Sequence, residues 1–421
     1  MKKLIGYIIA LSVLATSAFS VEVINKNGAK LDVGGRLQTI GTIQYVEDGY
    51  RNNTRLFLFN QQSRLNVKAD INDFKYVMEV AFGGEETAKP QYGVATSPLN
   101  SNLSLQDFYS DFPYIGGRIR VGQFRPALNR EFLASDDDSM FAKRSLQNMA
   151  FDWGRDVGAA YYSKFAGFDY TLGVFTGGGA NIPERYIPEV MKLPMISFKV
   201  GVNNGLDSDI YTPSNQSTYK VDGVKSAFYL NGFYTEDSLI GHGTVLGLKY
   251  SQRSLILNTM FNPFLTGYNN ATLLQLGADG AFLMPWGKNA ALSVESELNY
   301  TSYHNDLGNA SIIGGLVQAL INEKDISYGV RFSAIRPSMY MTLIGGQQYI
   351  YEITPTFITY LNGENAKIVL DAPMLFNTLL SRDTVPTNKG IYEFYTAPGS
   401  TASNAVRGNA YSIRLMAQFA F

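Results

Sequence analysis

The chain has 421 residues, with 35 Lys and Arg against 36 Asp and Glu, two histidines and no cysteine. That balance lacks the basic excess of a nucleic-acid binder and excludes a disulfide framework or a thiolate metal site. Its only histidines, His242 and His304, lie far apart and outside any recognisable motif. A histidine-dependent nucleophile is therefore not expected, nor is any cofactor, metal or catalytic residue.

Residues 1–20 read as a processing signal. Lys2 and Lys3 precede an apolar run of about a dozen residues, and Ala18-Phe19-Ser20 offers small side chains at a cleavage site. The run falls short of the roughly 20 apolar residues that a spanning helix needs. The signal implies export, here to a bacterial outer membrane, and leaves 21–421 as one domain. Past residue 20 there is no apolar stretch long enough for a helical span, yet the chain carries 27 Tyr, 26 Phe and 40 Gly. A membrane β-barrel accounts for this combination, with its apolar outside, polar lumen and aromatic girdles.

From residue 31 onward the period is two. Leu31, Val33, Leu37, Thr39, Ile43 and Tyr45 share one parity, and Asp32, Arg36, Gln38, Thr42 and Gln44 the other. The next segment sets Phe59, Leu65, Val67, Ala69 and Ile71 against Asn60, Gln62, Arg64, Asn66, Lys68 and Asp70. Successive side chains of a strand point to opposite faces, so each segment has an apolar and a polar face. Asn72-Asp73 then reverses the chain, and Phe74, Tyr76, Met78, Val80 and Phe82 resume the apolar parity, which makes a hairpin. Tight turns recur at 112–117, 165–168, 285–289 and 362–365, alternating with long polar segments at 83–102, 127–155, 178–193, 304–324 and 373–408. Short turns at one end and long loops at the other predict an all-β transmembrane antiparallel barrel, with periplasmic turns and external loops. The expected count is sixteen strands. Eighteen is the alternative, because 203–225 is too long for a tight turn and too polar for a strand. Glycine pairs such as Gly34-Gly35 and Gly116-Gly117 read as bends and turns. Trp286 and many tyrosines are candidates for the interfacial girdles, while Trp153 is equally placed to pack inside a loop.

The final residues repeat the pattern. Tyr411, Ile413, Leu415, Ala417, Phe419 and Phe421 alternate with Ser412, Arg414 and Gln418. A membrane-facing strand ending in Phe421 resembles the signal read by the barrel-assembly machinery.

Arg120-Val121-Gly122-Gln123-Phe124-Arg125-Pro126 resembles the segment RVGQFK-P of the phosphate-selective porin family (porins O and P). Glu131, Ser135, Phe141, Arg144-Ser145 and Gly154-Arg155-Asp156-Val157-Gly158 continue the likeness, as does the last strand with Arg414 and Gln418. The match is concentrated between Leu31 and Lys164, and little is recognisable between Gly178 and Ile350. The resemblance implies a homotrimer of sixteen-stranded barrels. Its third loop, 127–155 here, would fold into the lumen and line a constriction with Arg and Lys.

The polar parity supplies Arg36, Arg64, Lys68, Arg118, Arg120 and Lys164, and the loop with its strand ends adds Arg125, Arg130, Lys143, Arg144 and Arg155. A ring of such charges favours anions, and the guanidinium fork matches phosphate oxygens. The opposing reading is internal neutralisation, with Arg64 paired to Asp70 or Glu79 and Arg155 to Asp152 or Asp156. Asp136, Asp137 and Asp138 oppose an anion pore. Either they attract cations, Ca²⁺ included, or they face solvent or pair with Lys143 and Arg144. Three functions stay open: a porin preferring anions such as phosphate, a general or cation-preferring porin, and a surface receptor or adhesin with a closed lumen.

Overall fold

The computed structural model describes residues 21–26, 28–47, 54–84, 103–177, 179–180, 191–214, 216–237, 271–305, 308–338, 349–381 and 405–421. The proposed signal at 1–20 and most of the loop segments expected at 83–102 and 178–193 lie outside these residues.

The alternating segments form one sheet of antiparallel strands, each paired with its neighbours in sequence. They are β1 (Val21–Lys26), β2 (Ala29–Val46), β3 (Thr54–Ile71), β4 (Phe74–Gly84), β5 (Ser104–Tyr114), β6 (Gly117–Phe124), β7 (Asp156–Phe165), β8 (Phe168–Phe175) and β9 (Met191–Asn204). Then follow β10 (Lys225–Asp237), β11 (Ala271–Pro285), β12 (Ala291–Asn305), β13 (Gly308–Asn322), β14 (Ile326–Pro337), β15 (Ile350–Asn362), β16 (Ala366–Asp371), β17 (Met374–Ser381) and β18 (Ala405–Ala420). Antiparallel pairing of β18 with β2, from Ala410↔Val46 to Ala420↔Arg36, closes the sheet on itself and removes its edges. Because β16 and β17 both pair with β15 and with β18, they are halves of one strand broken at Ala372-Pro373. β1 is an addition that pairs with β2 beyond the end of β18, where Phe421 and Gly35 exchange backbone hydrogen bonds of 2.8 and 2.9 Å. The barrel therefore has sixteen strands plus one short extra.

Period two sets the faces. In β2, Leu37, Ile43 and Tyr45 are exposed outward while Arg36, Gln38, Thr42 and Gln44 are buried inward. Asn72, in the left-handed region at φ 53°, forms the β3–β4 turn with Asp73, a conformation that Asn tolerates.

Three expectations need correcting, and one segment left open is now placed. Segment 304–324 is mostly strand β13, whose inward Ile312, Leu316 and Leu320 are as apolar as its outward Ile313 and Val317, so no alternation shows. Segment 373–408 contains β17 and the start of β18, and its remainder lies outside the described residues. In β3 the register jumps from Gln38↔Gln62 to Thr39↔Asn60, so Gln61 bulges out. That bulge reverses the parity, leaving Leu58 strongly exposed and packing Phe59 against the lumen cluster of Ile40, Met140 and Phe141. Residues 205–224 connect β9 to β10 at the turn end, but they fold inward, burying Leu206, Ile210 and Tyr211.

Candidate functional site

Segment 127–155 leaves β6 and crosses the lumen, carrying two short helices, α1 (Arg130–Leu133) and α2 (Leu146–Phe151). Within β6, two residues before its end, Gly122 has a φ of 135° that disfavours other residues, and an added Cβ would lie 2.2 Å from the Phe108 carbonyl oxygen. Ser145 caps α2 by accepting from the Asn148 backbone N–H at 2.9 Å, and its hydroxyl also donates to Glu131 at 2.5 Å.

Two apolar anchors hold the loop down. Leu128, Phe132, Leu133, Leu146, Phe151 and Trp153 pack with Phe124, Phe175, Met195 and Phe233 of the wall. Trp153, its ring tilted against that of Phe233 with centroids 4.6 Å apart, is thus a lumen residue, whereas Trp286 is exposed in the β11–β12 turn. The second anchor joins Met140, Phe141 and Ala142 to Ile40, Leu320, Ile358, Val369 and Met416. These wall residues point inward against the usual polarity because the loop covers them.

Charged contacts complete the seal, and they fall into separate groups. Arg64 donates to Glu79 at 2.7 Å and lies 3.2 Å from Asp136. Arg144 lies 2.7 Å from Asp136 and donates to the carbonyls of Ala134 (2.8 Å) and Glu131. Arg125 donates to the Phe132 and Ala134 carbonyls at 2.7 and 3.0 Å, 3.7 Å from Asp136. Arg36 pairs with Asp137 and donates to Ser135 at 3.1 Å. Arg155 reaches Asp107 at 2.8 Å and Glu79 at 3.3 Å, instead of Asp152 or Asp156. Asp152 accepts from the Gly154 N–H, and Asp156 from Val157 and Thr176. Three of the expected arginines, Arg64, Arg125 and Arg144, thereby meet at Asp136, with Arg36 beside them on Asp137 and Arg155 linked to Arg64 through Glu79.

Burial opposes ionisation of Asp136, but Arg144, Arg64, Arg125 and Arg36 outweigh it and hold the carboxyl well below the usual range. Asp137 is likewise held low, mainly by Arg36 against the effect of burial. Asp138, half-buried beside the Asp137 charge, is pushed up to about 7.

The other candidates lie elsewhere. Arg118 and Arg120 both bind Asp111, at 2.6 and 2.9 Å, and Arg120 sits 4.3 Å from the rings of Tyr109 and of Tyr211 from segment 205–224. Arg130 is buried against Asp207 (2.5 Å) and Glu295 (2.7 Å). Lys143 places its ammonium 4.9 Å from the Phe59 ring. Lys68 is exposed opposite Asp32, and Lys164 is exposed 3.4 Å from Asp169.

Three inward cations escaped the sequence reading, Lys199 (3.0 Å from Asp279), Arg331 (2.6 Å from Glu352) and Lys367 (2.8 Å from Glu364), and Arg414 (2.6 Å from Asp371), read on the polar parity, was not among the expected pore residues. Alternation marks Arg331 between outward Val330 and Phe332, so period two alone would have found it. The lumen walls differ in charge. Arg36 on β2 and Arg64 on β3 face the loop beside Glu79 and Asp107, while Asp279, Glu295 and Glu297 on β11 and β12 gather acid.

No protein-family model and no curated protein matches the chain. Solved structures do match in fold. The anion-selective porin from Comamonas acidovorans aligns with a TM-score of 0.55 at 13% identity, over 93% of this chain and 100% of that chain. In-vitro folded OmpT, an outer membrane protein of Vibrio cholerae, gives 0.53 at 12%, over 95% and 100%. Pseudomonas putida OprB gives 0.52 at 10%, over 92% and 94%. At such identities the likeness is one of architecture: the chain has the transmembrane β-barrel fold of outer-membrane porins.

Proposed function

We propose that the chain is a passive outer-membrane porin for small hydrophilic solutes, weakly selective for charge. The observation that carries this reading is the loop 127–155, tied across the lumen of a sixteen-stranded barrel by charges of both signs, through its Asp136 to Arg64 on one wall and through its Arg130 to Glu295 on the other. A constriction with both signs of charge gives water and small ions a polar path without a strong preference for either sign. A dedicated phosphate site has less support, because Arg64, Arg118, Arg120, Arg130, Arg144 and Arg155 each already face a carboxylate within 3.2 Å.

Anion preference is the second reading, and Arg36 favours it, since its Nε and Nη2 have no hydrogen-bond partner. The Comamonas acidovorans structure is itself described as anion-selective. Trimeric assembly follows from the family resemblance, and one Vibrio cholerae OmpT structure is described as a trimer form. In this reading the signal at 1–20 directs export, the turns are periplasmic, the loops are external and the strand ending in Phe421 addresses the assembly machinery.

The test is reversal potential in a planar bilayer under a KCl gradient, repeated with phosphate. The proposal expects open channels with weak selectivity and no phosphate block. Strong anion preference with block by phosphate would replace it by the second reading. Absence of conductance would favour a closed-lumen receptor or adhesin.

A further inference from the structure

Among the described residues, partnerless buried polar atoms gather where loop 127–155 meets β10, β11 and β12. Gly277 on β11 faces Asn231 on β10 and Asn299 on β12 in the strand register. The point where a Cβ would stand at Gly277 lies 2.3 Å from Asn299 Oδ1, 2.6 Å from Asn231 Oδ1 and 3.1 Å from Asn129 Oδ1. Amide oxygens from two strands and the loop thus converge over a glycine, whose missing side chain makes the room.

Their orientation is partly fixed. Asn231 donates its Nδ2 to Asp279 Oδ2 at 3.0 Å, which turns its own oxygen toward Gly277. That oxygen, both polar atoms of Asn129 and of Asn299, Asp279 Oδ1 and Glu297 Oε2 have no hydrogen-bond partner, and every one of these residues is at least nine-tenths buried. Glu297 touches the same stretch of loop, accepting from the Glu131 N–H at 2.5 Å. Each unsatisfied buried group costs roughly 1–3 kcal/mol, and oxygens packed together repel unless something positive lies among them.

The local charge points the same way. Asp207, Asp279, Glu295 and Glu297 are four buried carboxylates, and the cations they contact are Arg130 and Lys199. A divalent ion would balance that excess.

We propose that Asn129, Asn231 and Asn299, with Asp279 and Glu297, bind a hard divalent cation of calcium size that ties the loop to the β10–β12 wall. Amide and carboxylate oxygens are the ligands such an ion takes, with six to eight of them in flexible geometry. Asn129 is the loop's contribution, so binding couples ion occupancy to loop position. On the opposite wall the arginines around Asp136 hold the loop without an ion.

The test uses the full chain in detergent, stripped with EDTA and titrated with Ca²⁺, following the thermal unfolding midpoint and, separately, Tb³⁺ luminescence displaced by Ca²⁺. The expected result is a saturable rise in midpoint and displaceable emission. Asn129→Ala and Glu297→Gln should each weaken apparent Ca²⁺ affinity at least tenfold. Should Glu297→Gln fail to fold, Asn129→Ala decides, because its substitution lies in the loop and leaves the barrel wall intact. A wild-type protein with neither Ca²⁺-dependent midpoint nor displaceable emission overturns the site. So does a Ca²⁺ response that Asn129→Ala leaves unchanged, which would put the ion elsewhere.

Discussion

Asp136, Asp137 and Asp138 are chemically identical neighbours in three different situations. Asp136 is the hub of a guanidinium cluster, Asp137 is paired with Arg36, and Asp138 sits beside that second charge with its carboxyl pushed up to about 7. An unfolded aspartate ionises near 3.9, so between about pH 4 and 7 the folded chain binds more protons at Asp138 than the unfolded chain does. Its contribution to stability is therefore greatest in acid, declines as pH rises through that window and is flat above it. The same titration places a new negative charge on the loop between pH 6 and 8. The reversal potential under a KCl gradient should move toward cation selectivity over that range, and Asp138→Asn should abolish the movement. An equal shift in the variant would assign the titration to another group.

At the scale of elements, the lumen is filled from both ends. Loop 127–155 enters between β6 and β7, segment 205–224 folds in from the turn end, and Arg130 joins them through Asp207. Both partners are buried, and breaking such a pair by removing one partner costs about 3–5 kcal/mol because a charge is left uncompensated. Arg130 keeps Glu295 at 2.7 Å, which places Asp207→Ala toward the lower end of that range. The loss should show as a lower unfolding midpoint in guanidinium and as faster proteolysis within 205–224. A change below about 0.5 kcal/mol would mean that the apolar packing of Leu206, Ile210 and Tyr211 alone seats the segment.

The barrel strands were legible wherever one face is polar, as in β2 and β18. They vanished from view in β13, where the covering loop lets the inward face be apolar too. Phe59 was assigned the wrong face because a one-residue bulge leaves no trace in composition. Segment 205–224 resisted assignment because it is neither strand nor turn. The arginines at the loop were legible as inward or loop residues, and two of their partners were among the pairs expected, Glu79 for Arg64 and Asp136 for Arg144, but the partner of Arg155 was not. Arg155, at the start of β7, meets Asp107 across the β5–β6–β7 pairing, while the acids adjacent to it in sequence accept from neighbouring backbone and side-chain groups.

The whole molecule is an inverted globule, with its charges inside and its aliphatic side chains displayed. Leu172, Leu230 and Leu298 are each more than half exposed, on three different strands. In water such a surface would drive association, whereas in a bilayer it is the solvated face. Leu298 stands at the middle of β12, opposite Ala278 on β11 and Gly315 on β13, whose small side chains leave it open to its surroundings. Placing arginine on the lipid face near the membrane midplane costs about 2–4 kcal/mol, and about 0–1 kcal/mol near the interface. Leu298→Arg should therefore destabilise the folded protein in lipid vesicles by the larger amount. Trp286→Arg, in the exposed β11–β12 turn at the end of the same hairpin, should be nearly neutral. Equal costs at the two positions would mean that lipid does not solvate β12 at mid-height. If the wild-type protein runs as an oligomer and the Leu298 variant does not, the covering surface is a second copy of the chain.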